Sequence, residues 1–288
     1  MTAGYDVIVA GGGSAGCVAA TRLSGDERCR VLLVEAGPDY PAVAGLPADI
    51  ADGSMPATSH DWGFTAEPDE PGRSVPLPRG CLTGGCSATG ACFALRGWPQ
   101  DYDRWATPGN PGWSFFELLP VFRAIESDAD VGGRWHGSDG PVPIRRPSAG
   151  ELSPLQHAFA DAAVAAGHPL ARDHNKPGAV GVGPAPRTVR DGLRMSTALT
   201  HLATARGRPN LTIRAGTAVD RVKLRGTMAR GIRTAGGEII EADAVVVTAG
   251  AYASPAILMR SGIAAVGGVA AGRRRGKVNC VSSARGLG

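Results

Sequence analysis

Metal-ligand spacing is absent from this sequence. Its six cysteines, at positions 17, 29, 81, 86, 92 and 280, form no C-x-x-C pair and have no histidine at finger spacing, which excludes the common structural zinc modules. The N-terminus, from Met1 through Tyr5, has neither a basic n-region nor a separate apolar h-region, so reduced thiols in a cytoplasmic protein are expected. No stretch reaches the ~20 apolar residues that span a bilayer. The charge-free apolar run that matters most here, Ala244–Met259, is interrupted by Gly250 and Pro255. Charged residues make up only 19% against 43% hydrophobic, a balance that excludes wholesale disorder. The net charge of +4 is confined to a tail in which Arg273, Arg274, Arg275, Lys277 and Arg285 stand without an acid. The rest is nearly neutral and lacks the basic face of a nucleic-acid binder. What abounds is glycine (42) and proline (22), without the three-residue period of collagen, hence in turns and close backbone approaches. At 288 residues the chain is long enough for about two domains.

The first 36 residues carry a nucleotide-binding pattern. Tyr5–Ala10 reads as a buried strand, Gly11-Gly12-Gly13-Ser14-Ala15-Gly16 as G-x-G-x-x-G, Cys17–Ser24 as a helix, and Arg30–Val34 as a second strand closed by Glu35. The three glycines of the pattern serve different ends. Gly11 turns tightly, Gly13 lets a pyrophosphate approach the backbone, and Gly16 lets helix and strand pack closely. The helix start, at Ser14, offers unpaired N–H groups to phosphate oxygens. Glu35, with Ala36 beside it, is placed to accept hydrogen bonds from an adenosine ribose and disfavours a 2′-phosphate. This unit alone leaves FAD and NAD both open.

A second glycine-dense loop follows: Pro78-Arg79-Gly80, then Gly84-Gly85-Cys86-Ser87, then Arg96-Gly97 and Asp101-Tyr102-Asp103-Arg104-Trp105. Further on come Thr248-Ala249-Gly250-Ala251, Ser254-Pro255, Leu258 and Ser261-Gly262-Ile263. In these motifs, in this order, the chain from Tyr5 to about Ile263 resembles the N-terminal part of the glucose-methanol-choline (GMC) flavin oxidoreductases. The resemblance implies an α/β fold: an FAD-binding Rossmann-type parallel sheet with a small antiparallel meander, and part of an inserted α+β substrate domain. It further implies FAD as the cofactor, with Gly84, Gly85 and Ser87 on the flavin side, Gly250 facing the cofactor, and the backbone of Val219 at the adenine. Two positions depart from the family pattern. Gly90 stands where its Asn falls, and Thr89 where some members carry the His that bonds flavin covalently, so noncovalent FAD is expected.

The expected organisation is 1–140 and 201–263 for the FAD domain, 141–200 for the start of the substrate domain, and 264–288 for an aberrant basic tail. Leu211–Arg214 reads as a third parallel strand, and Ala218–Leu224, Met228–Thr234 and Glu238–Glu241 as the meander, with Ala244–Val247 a separate buried strand. Ser153–Gly167 reads as an alanine-rich helix capped by Ser153. Alcohol oxidation on a flavin needs a base for the hydroxyl proton. In the family that His and its His/Asn partner lie beyond the end of this chain, and histidines 60, 136, 157, 168, 174 and 201 match no catalytic motif, so each is read as surface or structural. No catalytic or metal-binding residue is therefore assigned.

The expected partners are a small-molecule alcohol and an unidentified electron acceptor, with no nucleic acid and no membrane span. The family pattern is expected to stop at Ala264, as out-of-frame translation would make it do. Three other readings stay open: a noncatalytic FAD-binding remnant, an NAD-dependent Rossmann dehydrogenase, and a protein that interacts through its basic tail.

Overall fold

Val31–Val34 is an all-aliphatic run buried on both faces, as the interior strand of a parallel sheet must be. In the computed structural model, which describes residues 4–66 and 72–263, it pairs in parallel with Tyr5–Ala10 on one side and Leu211–Arg214 on the other. Tyr5–Ala10 pairs in turn with Ile239–Val247, in parallel register from Tyr5 opposite Ala242 to Ala10 opposite Val247. The sheet has six strands in the order Leu211–Arg214, Val31–Val34, Tyr5–Ala10, Ile239–Val247, Met228–Thr234, Val219–Arg225. Its core is Ile8, Leu32, Val34, Ile232 and Ala242.

Ile239–Val247 is one strand with two jobs. Ile239, Ile240 and Glu241 pair antiparallel with Met228–Thr234, and the same strand then enters the parallel sheet at Ala242. The two strands expected from sequence are therefore one. Between Glu241 and Ala244 stand only Ala242 and Asp243, so no glycine or proline breaks the chain.

The described residues divide into two units: 4–39, 81–85 and 204–263, which hold this sheet, and 40–66, 72–80 and 86–203. The boundaries differ from the expected 1–140, 141–200 and 201–263. The reason lies in long-range polar contacts within the second unit. Arg194, 1% exposed, donates through its guanidinium to the backbone carbonyls of Ile50 (3.1 Å), Met55 (2.6 Å), Asp49 (3.3 Å), Asp52 and Gly90. These bonds tie residues near 50 and 90 to the segment beyond 141. Residues 264–288, the expected tail, lie outside the described residues.

Regular structure in the second unit is sparse. The helices longer than one turn are Pro99–Ala106, Phe115–Ile125 and Pro154–Ala165, with two-stranded pairs at Glu126–Asp128/Val142–Ile144 and Val189–Arg190/Leu193–Arg194. The expected cap forms at Ser153, whose Oγ accepts from the Gln156 N–H at 3.3 Å. A buried ion cluster contributes much of the rest. His136 places Nδ1 3.2 Å from Glu126 and 3.3 Å from Asp128, and Nε2 3.0 Å from Asp173. Arg96 reaches Glu126 at 2.6 Å, and Arg146 reaches Asp128 at 2.8 Å. Among the described residues no helix is long and apolar enough to cross a membrane, and no disulfide links the five cysteines present.

Hydrogen bonds that the His136 ring donates to Asp128 and Glu126 overcome the effect of burial and push the imidazolium up to about 10. Burial would raise Asp128 and Glu126, but bonds from His136 and the neighbouring arginines hold both below the usual carboxylate range. A histidine whose folded pKa is raised contributes stability that is full below its unfolded value of about 6.5 and is lost as pH rises through the folded one. The two carboxylates contribute stability present at neutral pH and lost in acid. Melting temperature should therefore fall steadily from about pH 6.5 to about pH 10. In His136→Gln, circular-dichroism melts should show a lower melting temperature and a flattened slope over that range.

Candidate functional site

Three short segments of the first unit converge beyond the ends of its parallel strands: Gly11–Gly16, Glu35–Gly37 and Cys81–Gly85. The first is the turn between the Tyr5–Ala10 strand and the Ser14–Leu23 helix. Gly11 has φ +113°, and a Cβ there would lie 2.7 Å from the Thr248 carbonyl. A Cβ on Gly16 would lie 1.8 Å from the Gly11 carbonyl oxygen, so helix and turn can close only around a bare backbone. Thr248 adds a hydroxyl bond of 2.8 Å to that same oxygen.

Glu35 is the buried tie between segments. Its Oε2 accepts from the Gly12 N–H at 2.7 Å and its Oε1 from the Gly37 N–H at 2.9 Å. Burial pushes the Glu35 carboxyl above the usual range, and backbone N–H groups of Gly37, Gly12 and Ala36 pull against it. Glu35, expected at a ribose, thus has a structural role that the sequence did not announce. Gly37 carries the tie onward: a Cβ there would lie 1.9 Å from the Cys81 carbonyl oxygen. The Thr83 N–H donates to the Pro38 carbonyl at 3.0 Å, and the Gly84 N–H to the Gly12 carbonyl at 2.8 Å. The second glycine loop therefore lies directly on the first, with Gly84 and Gly85 at φ +100° and +52°.

Gly13 behaves differently from its neighbours. It is half-buried at the start of the helix, and the nearest heavy atom to a Cβ built there is the Gly85 Cα at 3.9 Å. Packing within the described residues does not require glycine at this position. Ser14 is the first helical residue and is exposed; Ala36 is half-buried between Glu35 and Gly37. Gly250 opens the Gly250–Arg260 helix, and Val219 begins its strand opposite Thr234, packed on the core.

Ser87 belongs to the second unit, where its hydroxyl meets the Thr197 Oγ1 and accepts from the Thr197 N–H, each at 3.0 Å. Sequence reasoning missed Gly12, Gly37 and Thr248. The first two had a usable signal, as glycines directly beside assigned residues. Thr248 stood in the second motif, but the role of its hydroxyl was not readable there, because it acts through a contact with a turn more than 200 residues earlier. A cavity of about 520 Å³ in the second unit is lined by Asp128, His136, Arg123 and Gly137 among others, and its buried ionisable residues are those of the ion cluster.

The GMC oxidoreductase family model matches residues 5–272, nine residues beyond the Ile263 at which the resemblance was expected to end. Pyridoxine 4-oxidase of Microbacterium luteolum is 42% identical over 272 residues, covering 90% of this chain and 52% of the relative. Oxygen-dependent choline dehydrogenase of Pseudomonas fluorescens SBW25 is 40% identical over 277 residues, covering 91% and 48%. Among solved structures, pyridoxine 4-oxidase from Mesorbium loti superposes with a TM-score of 0.83 at 40% identity, over 90% of this chain and 52% of that one. An FAD-dependent oxidoreductase from Chaetomium thermophilum gives 0.81 at 29%, over 90% and 48%. The chain thus spans about half the length of the curated relatives it matches. With the glycine turns, the buried acid and nearly the whole sequence inside one family match, this chain belongs to the GMC oxidoreductases.

Proposed function

We propose that the first unit holds FAD noncovalently, and that the chain is the cofactor-binding portion of a flavin oxidoreductase acting on the CH–OH group of alcohols. Gly13 carries this reading. Its neighbours Gly11 and Gly16 are glycines because the protein's own backbone would clash with a side chain, whereas a Cβ at Gly13 would meet nothing nearer than the Gly85 Cα, at an uncrowded 3.9 Å. Uncrowded bare backbone at the positive end of a ten-residue helix suits a pyrophosphate. Gly11, Gly13, Ser14 and Gly16 would hold the diphosphate. The backbone N–H groups of Gly12, Gly37 and Ala36 use three of the about four bonds a carboxylate accepts, which leaves capacity for a ribose hydroxyl.

Gly84 and Gly85 extend the bare backbone past the first turn, as a long dinucleotide requires, with the Val219 backbone for adenine and Gly250 at the start of a second helix. Ser87 is assigned by its motif alone. Bound in this cradle, FAD supplies the ring that accepts hydride from an alcohol carbon. The substrate class rests on relatives named for pyridoxine and choline, both primary alcohols. A separate acceptor then takes the electrons. A second reading, a chain that holds FAD without oxidising alcohols, is favoured by the described histidines: His136 is buried in its ion cluster, and His60, His157 and His174 are hydrogen-bonded within the second unit.

Purified chain dialysed against FAD should show a flavin absorbance spectrum and bind FAD at micromolar concentration or tighter; retention of NAD but not FAD would overturn the proposal. Adding primary alcohols without oxygen distinguishes the two readings, since bleaching marks an oxidoreductase and persistent colour a holder. Gly13→Ala should weaken FAD binding at least tenfold with the melting temperature unchanged. Gly16→Ala should lower the melting temperature even without FAD, because a Cβ would press on the Gly11 carbonyl. Glu35→Gln replaces one acceptor oxygen with a donor facing a backbone N–H. It should cost about 1–3 kcal/mol in urea unfolding and weaken FAD binding as well.

A further inference from the structure

Tyr40, His60, Ser59 and Asp49 form an unbroken chain of hydrogen bonds inside the second unit. The Asp49 carboxylate is its anchor. Oδ2 accepts from the backbone N–H groups of Thr58 (3.1 Å) and Ser59 (2.9 Å), and Oδ1 from the Ser59 hydroxyl at 3.0 Å. These bonds, that of the Ser59 backbone foremost, hold the Asp49 carboxyl below the usual range, so it is ionised at neutral pH. A serine hydroxyl has one proton to give, and here it goes to Asp49. Ser59 Oγ therefore accepts from the Nδ1–H of His60, 2.6 Å away. That fixes the tautomer. In the neutral ring Nε2 carries a lone pair, and the Tyr40 phenol donates to it at 2.8 Å. The two rings meet edge to face, with centroids 5.5 Å apart and planes at 79°.

His60 holds this position against its backbone preference. Its φ is +59°, in the left-handed region that few residues other than glycine occupy and that persists where the surroundings impose it, often at functional sites. A nucleophile bonded to a base, with the base oriented by a further group, is the arrangement of covalent catalysis, and a tyrosine oxygen can be the nucleophile. Tyr40 and His60 are half-buried rather than enclosed. Among the described residues no Arg or Lys side chain bonds to the phenol, imidazole, hydroxyl or carboxylate of this chain of groups. A phosphoryl group would lack the cations that its transfer uses, which leaves an uncharged electrophile. We propose that Tyr40 is a nucleophilic site for a small uncharged acyl group, with His60 as its base and Ser59 and Asp49 as positioning residues. The phenol oxygen bonds to the acyl carbon as its proton passes to His60 Nε2. The bond from that carbon to its leaving group then breaks, the leaving group takes the proton from His60, and an ester remains on Tyr40. The site is independent of the FAD reading.

The test treats the full chain with p-nitrophenyl acetate and locates acetyl groups by peptide mass spectrometry, with Tyr5, Tyr102 and Tyr252 as internal references. Tyr40 should be acetylated at least tenfold faster than any of them, although Tyr252 is more exposed. His60→Asn removes the base but keeps a residue type that tolerates positive φ. It should bring Tyr40 down to the reference rate, with the far-UV circular dichroism unchanged. Ser59→Ala should slow acetylation of Tyr40 and move the His60 ring ¹⁵N shifts towards a mixture of tautomers, and Ser59→Thr should restore both. Acetylation of Tyr40 no faster than the reference tyrosines overturns the proposal, as does an unchanged rate in His60→Asn. An acetyl group on His60 with none on Tyr40 also overturns it, since the imidazole would then be the nucleophile.

Discussion

The Glu35 carboxylate, closed between the N–H groups of Gly12 and Gly37, holds the first unit's site together. A buried carboxylate is costly unless its oxygens are satisfied, and here backbone donors satisfy both. The consequence is geometric. Once Gly12 and Gly37 are fixed to one side chain, the turn after the first strand and the turn after the second cannot move independently. Gly37 passes the constraint to Cys81 through a contact too close for any side chain, and Gly84 returns it to Gly12. A cradle of bare backbone keeps its shape because Gly12, Gly37 and Gly84 close this circuit, while Gly13 stands uncrowded beside them.

The two units solve the problem of cohesion differently. The first relies on a sheet whose interior strands are wholly aliphatic, so apolar burial and ladder hydrogen bonds reinforce one another. The second has short strands and long irregular segments, and it uses buried charge in their place. Arg194 satisfies a set of backbone carbonyls that no ladder reaches, and His136 gathers Glu126, Asp128 and Asp173 around one imidazolium. Such networks are strong only when complete, because loss of one member leaves an uncompensated charge inside.

Much of the first unit was legible because its signals are local. Tyr5–Ala10, Val31–Val34, Leu211–Arg214 and Met228–Thr234 are recognisable from composition and flanking turns, and Ser153 and Pro154 announce their helix. Three features were not. The join of Glu238–Glu241 with Ala244–Val247 needed the partner strands, since a strand that changes partners looks like two in isolation. The unit boundaries needed Arg194, whose acceptors lie more than 100 residues away. The burial of His136 needed its three acids, none of which stands beside it in sequence.

By itself the sequence determined that a strand, a glycine turn, a helix, a second strand and an acid occur in that order, and that a second glycine loop follows. Those are matters of neighbouring residues, period and backbone freedom, which a linear reading contains. Only the tertiary structure decided that the two glycine loops touch, that Glu35 binds backbone, and that Gly13, unlike Gly11, Gly12 and Gly16, is not crowded by its surroundings. Those depend on distances between residues far apart in the chain, and such distances exist only once the strands have paired.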